Sequence, residues 1–187
     1  MLGGLRFLLG LLLPVIAWQG EQTLFIIVLV IAFFLDAVDG PIARHYHQAT
    51  VQGSRLDSVA DFTVYFSLVI SVWWLWPELF RREIVFICLA TLSILVPVVA
   101  GLIKFHTITS YHTWLVKFAT VCIAPGSVVL IMGGPAWPFQ IASIVSVLAG
   151  LEQLIITLLL GQPRSDVRHI IAVMQRTRDN ALPGKDR

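Results

Sequence analysis

The chain has 187 residues, of which 57% are hydrophobic and 13% charged, with a formal net charge of +2 and a mean hydropathy of +0.85. Soluble globular domains carry about 25% charged residues, so the composition excludes a water-soluble domain and points to a membrane protein. Crossing about 30 Å of hydrocarbon takes about 20 apolar helical residues. Runs of that kind predict six spans at approximately 5–18, 22–39, 57–76, 84–103, 114–132 and 137–161, with no sharp caps to mark their ends. The expected fold is an all-α integral membrane protein, a six-transmembrane-helix bundle over residues 1–162 followed by a cytoplasmic tail, 163–187.

The first run, preceded by Arg6, is short enough to resemble a signal-peptide core. No small-residue cleavage site follows "LLLPVIAWQG", so it reads as a span. The second ends in Asp36 and Asp39, three apart, and the third begins with Asp57 and Asp61, four apart. Residues at those separations share one helix face, so two neighbouring helices bring four carboxylates to one level. An uncompensated charge at mid-membrane costs roughly 2.5–3.5 kcal/mol on insertion scales, and four would cost on the order of 10 kcal/mol, comparable to the stability of a whole domain. Cations must therefore offset them. An all-oxygen donor set suits Mg²⁺ or Mn²⁺ rather than zinc. Between the pairs, Gly40, Ala43 and Gly53 leave room for close approach of a ligand, and Arg44 supplies a guanidinium fork for phosphate oxygens. Carboxylates holding metal beside an arginine and small residues make a site for a diphosphate. His45 and His47, in the loop expected between the pairs, read as polar surface beside that site.

Pro14, Pro97 and Pro125 fall inside the predicted spans and suggest kinks rather than ends. Cys88 and Cys122 sit in different spans without a second ligand nearby and read as small core residues, neither zinc ligands nor a disulfide. Lys104, His106, His112 and Lys117 surround the connection between the fourth and fifth spans; Lys117, about one turn into the fifth, is the leading candidate for contacting a phosphorylated acceptor, with Lys104 behind it. Glu152 lies in the middle of the last span and is either protonated, paired across helices or part of a polar cavity. Trp18, Trp73, Trp74, Trp76, Trp114 and Trp137 stand near span ends, as an interfacial belt requires. With both termini inside, Arg6, Arg44, Arg55, Lys104, Lys117 and the basic residues of the tail fall on the cytoplasmic side, and Arg81 and Arg82 face out.

The segment Asp36–Asp61 reads D-x2-D-G-x2-A-R-x8-G-x3-D-x3-D with every fixed position filled. It resembles the signature of the CDP-alcohol phosphotransferase family. The resemblance implies six transmembrane helices around a cytoplasm-facing polar cavity, with Asp36, Asp39, Asp57 and Asp61 holding two divalent ions, and Asp61 also the general base. It implies further that Gly40, Ala43, Arg44 and Gly53 line the cytidine and diphosphate site. The implied reaction is attack of an alcohol hydroxyl on the lipid-linked phosphate of CDP-diacylglycerol with CMP leaving, in phospholipid biosynthesis. Short members of the family, phosphatidylglycerophosphate synthase-like, imply glycerol 3-phosphate as acceptor; serine, inositol phosphate and choline are the alternatives. The implied partners are the CDP-linked lipid, the alcohol, membrane lipids and a second copy of the chain, with no nucleic acid, in a bacterial-type cytoplasmic membrane. A cation transporter is the alternative from another class, though acids gathered at one level count against it.

Overall fold

The computed structural model describes the backbone of residues 2–45, 51–105 and 113–159, and the side chains of residues 3–38, 59–105 and 113–159. Six helices follow in order: α1 (Leu2–Trp18), α2 (Gln22–His45), α3 (Val51–Leu75), α4 (Pro77–Phe105), α5 (Trp114–Ile131) and α6 (Trp137–Leu159). No strand occurs among the described residues. α4, α5 and α6 are long and apolar enough to cross a membrane, and shorter apolar helical stretches cover Gly3–Trp18, Gln22–Val38 and Val59–Leu75. The all-α membrane fold expected from composition is the fold observed. Leu8, Phe34, Val85, Ile103 and Val121 lie exposed on these helices, an arrangement water penalises and lipid does not. Five hydroxyls are satisfied without leaving their helix: Thr91, Thr120, Ser127, Ser143 and Ser146 each donate to the carbonyl four residues back, as a solvent without hydrogen-bonding capacity favours.

Two helix ends are marked by caps that the sequence reading passes over. After α1, Gly20 adopts φ 77°, its N–H bonds the carbonyl of Ala17 at 3.0 Å and that of Glu21 the carbonyl of Ile16 at 3.4 Å. After α5, Gly133 has φ 81°, with Gly133 bonded back to Leu130 and Gly134 to Val129. Both are Schellman closures, in which glycine takes the left-handed conformation at no steric cost. The helices run through Pro14, Pro97 and Pro125, as expected of prolines that do not end a span.

The chain divides into two compact units. The first is Met1–Ile84 with Val128–Gly134; the second is built on Val85–Ser127 and the described residues from Pro135 onward. In the first, Leu13, Ile16, Phe25, Leu29, Val64, Leu68 and Val72 form a buried core between α1, α2 and α3, joined by Ile131. α1 and α3 run parallel. Trp18 meets Trp74 with ring centroids 5.0 Å apart, and a Cβ on Gly10 would sit 3.0 Å from Thr63 Cγ2 and 3.1 Å from the Val64 nitrogen. A side chain there would crowd α3, and glycine gives the two helices this close approach without that crowding. α2 returns antiparallel, and Phe25 near its start packs edge-on against Trp76.

In the second unit α6 presents a stripe of small buried residues, Ala142, Ser143, Ser146, Ala149 and Gly150, which in lipid gives helices close approach where no hydrophobic drive between them exists. A Cβ on Gly150 would lie 2.4 Å from the Ser93 carbonyl oxygen of α4. The cysteines are free, but Cys88 is exposed and Cys122 half-buried, which corrects their reading as core residues: an apolar thiol needs no burial where the surrounding solvent is lipid. Trp18, Trp73, Trp74, Trp114 and Trp137 are exposed at or beside helix ends, whereas Trp76 packs on the core.

Candidate active site

The aspartate segment is carried by two helices that reach well past their apolar stretches. Asp36, Asp39, Gly40, Ala43 and Arg44 are all α2 residues, and Gly53, Asp57 and Asp61 all α3 residues. Successive offsets of three or four place each set along one helical stripe. His45, expected in a loop, is the last residue of α2; His47 lies outside the described residues. The difference has a simple cause: hydropathy finds where a chain crosses lipid, whereas a helix needs only backbone hydrogen bonds and permissive side chains, so polar turns extend it unseen.

The side chains of Asp36 and Asp61 converge on one cation, the guanidinium of Arg6 in α1. Arg6 Nη1 donates to Asp36 Oδ1, and Nη2 lies 2.8 Å from Asp61 Oδ1. The arginine side chain is 2% exposed, while the carboxylates are 34% and 55% exposed. The cation is therefore sealed between helices, and both acids stay partly exposed. One carboxylate from each motif pair thus reaches a common point; the expected convergence of all four involves side chains outside the described ones. The side chains of Asp39, Gly40, Ala43, Arg44, Gly53 and Asp57 lie outside the described ones; Asp39 and Asp57 stand one turn from Asp36 and Asp61 on the same helices.

The sequence reading counts Arg6 only among the residues that set orientation and gives it no place in the site. The signal available was its position inside a span, where an ionisable group ordinarily faces a partner. Glu83 also goes unremarked: it is 3% exposed and accepts from Arg82 Nε at 3.0 Å, within an α4 that begins earlier than its apolar run suggests.

In the second unit, Lys104 donates from Nζ to the carbonyls of Thr157 at 3.0 Å and Leu158 at 2.8 Å, capping the last turn of α6, where carbonyls lack helical donors. Lys117 is exposed, with Nζ 5.2 Å from the centre of the Trp114 ring. Glu152 is paired across helices: Oε2 accepts the Thr113 hydroxyl at 2.8 Å, while Thr113 Oγ1 accepts the Val116 N–H at 3.3 Å, the geometry of an N-cap on α5. Of the three roles open to Glu152, this one is present.

The family model for CDP-alcohol phosphatidyltransferase matches residues 1–160, a stretch that takes in every described helix. The chain belongs to the CDP-alcohol phosphatidyltransferase family. No curated protein and no solved structure gives a match. The transferase is accordingly a membrane enzyme of phospholipid synthesis that moves a phosphatidyl group from a CDP-alcohol to an alcohol acceptor, and the cation-transporter alternative falls away. Its family depends on divalent metal. Among the described residues no set of three His, Cys, Asp or Glu comes together, but the donor chemistry fits such an ion: hard carboxylate oxygens from two helices already meet at a positive charge.

Proposed function

We propose that this transferase joins the phosphatidyl group of CDP-diacylglycerol to glycerol 3-phosphate and releases CMP, at the cytoplasmic face of a bacterial-type inner membrane, with both termini inside and as a homodimer. The observation that carries the reading is the meeting of Asp36 and Asp61 at one cation, within a motif whose fixed positions are all filled. Asp36, Asp39, Asp57 and Asp61 would hold two ions, Mg²⁺ or Mn²⁺, which supply charge neutralisation of the diphosphate when bound. Gly40, Ala43 and Gly53 leave space for cytidine and diphosphate, and Arg44 offers its fork to phosphate oxygens.

Asp61, the more exposed of the two described carboxylates, is the general base. As the acceptor oxygen forms its bond to the lipid-linked phosphorus, the bond from that phosphorus to the CMP oxygen breaks and the hydroxyl proton passes to the Asp61 carboxylate. CMP departs with the bonding pair. A phosphorylated acceptor needs a further cation, since the acidic cluster otherwise repels it; Lys117 takes that role first, and Lys104, already engaged with two carbonyls, second.

The test is purified protein in detergent supplied with CDP-diacylglycerol, Mg²⁺ and, separately, glycerol 3-phosphate, serine, inositol phosphate and choline, with CMP measured. Release driven by glycerol 3-phosphate alone is expected. Release driven by another alcohol instead overturns the acceptor and keeps the transferase, and Mg²⁺-independent turnover overturns the metal assignment.

A further inference from the structure

Arg6 poses a question that the reaction does not answer. A guanidinium sealed between three helices at 2% exposure, bonded to Asp36 of α2 and Asp61 of α3, occupies the point at which both acids meet. Burying such a charge is costly unless paired, and the acids that pair it remain partly exposed, at 34% and 55%. The close passage of α1 and α3 at Gly10 and Val64, one turn along from the Arg6 and Asp61 pair, fixes the guanidinium at this level. A planar fork satisfies two carboxylates at once from different sides, which an ammonium at the end of a flexible stem does less well.

We propose that Arg6 is a built-in counter-ion and positioning residue: it holds the carboxylates of α2 and α3 together in the metal-free protein, and a divalent ion arriving at the site takes over part of that neutralisation. The second half rests on the metal assignment made under Proposed function; the first half does not. With Arg6 present, the acids are kept from repelling one another apart, so the site waits assembled for ion and CDP-lipid instead of being built by them.

The experiment is thermal unfolding in detergent of wild type, Arg6→Gln, Arg6→Lys, Asp36→Asn/Asp61→Asn and the triple neutral variant, each in EDTA and in millimolar Mg²⁺. Removing one partner of a buried pair is strongly destabilising, and for a chain of this size Arg6→Gln in EDTA is expected to lower Tm by about 5 °C or more. Arg6→Lys should lose less. The triple variant should be markedly more stable than the sum of the two sets of losses, the coupling that a double-mutant cycle reads. Mg²⁺ should raise the Tm of Arg6→Gln by more than that of wild type. Additive losses in the cycle overturn the counter-ion role, and this arm still decides if Arg6→Gln alone does not fold, because a folded triple variant then shows the coupling and an unfolded one refutes it. Coupling without any Mg²⁺ effect in any variant keeps Arg6 as counter-ion and overturns the metal assignment, so the two failures are distinguishable.

Discussion

Asp61 and Arg6 divide the work of one ion pair unequally, because one side chain is open to incoming molecules and the other is sealed. As the proposed general base, Asp61 must reach the proton it removes, and its carboxylate is 55% exposed. Asp61→Asn is expected to cut CMP release by on the order of a hundredfold or more while CDP-lipid binding in Mg²⁺ survives in part, measured by turnover and by equilibrium binding in parallel; full turnover in this variant would sink the assignment. Lys117 is argued from charge alone. Its ammonium lies near one ring face, a weak attraction of about 0.5–1 kcal/mol at an exposed site, so it can be redirected toward a phosphate at small cost. Lys117→Ala should raise KM for glycerol 3-phosphate about tenfold, roughly 1.4 kcal/mol, and leave CDP-lipid binding little changed. Unchanged kinetics together with turnover of an unphosphorylated alcohol would show the acceptor to be a different one.

Helix positions here are set by what is missing from side chains as much as by what is present. Gly10 admits the α3 backbone of Val64, and the Arg6 contacts lie a turn away, so Gly10→Val should push α1 from α3, lowering Tm and turnover together; a variant with wild-type Tm and activity would disprove the link between this crossing and the site. Gly150 is the corresponding point in the second unit. A methyl group there meets the Ser93 carbonyl oxygen at 2.4 Å, a backbone atom that cannot swing aside, and Gly150→Ala is expected to destabilise by about 1–3 kcal/mol, read as a fall in Tm. The end of α6 is closed by Lys104 of α4, and the start of α5 by its own N-cap, Thr113. Thr113 both caps α5 and donates to Glu152, so losing its hydroxyl removes a cap, a change that costs about 0.5–2 kcal/mol in other helices.

At the scale of the whole molecule the basic residues set the sidedness, since those near span ends are retained on the cytoplasmic side. Arg81 and Glu78 pair at 3.1 Å in the first turn of α4, both strongly exposed, as suits the outer surface under the proposed orientation. In a background with Cys88 and Cys122 replaced by serine, a cysteine at Gln48 should react with a membrane-impermeant thiol reagent only in opened or inside-out membranes, and one at Glu78 in intact cells. Labelling at position 48 from outside would reverse the orientation and with it the cytoplasmic placement of the site.

The residue types and their spacing were enough to determine a helical membrane protein and the family, and they singled out Asp36 and Asp61, which the structure finds at one cation. The reasons are general: lipid leaves few backbone solutions, and spacings of three and four can mean only one face of a helix. Where α2 ends and α3 begins was not legible, because polar helical turns such as Gly40–His45 look like loop to a hydropathy reading. The caps at Gly20 and Gly133 were present as residue types, but a glycine becomes a cap only through a positive φ and the bonds that follow from it. Only the tertiary structure decided that Arg6, some thirty residues from Asp36 and further still from Asp61, is the charge that meets both. Nothing along the chain links them; that contact exists because Gly10 lets α1 lie against α3, and a distance across helices is not written in any local pattern.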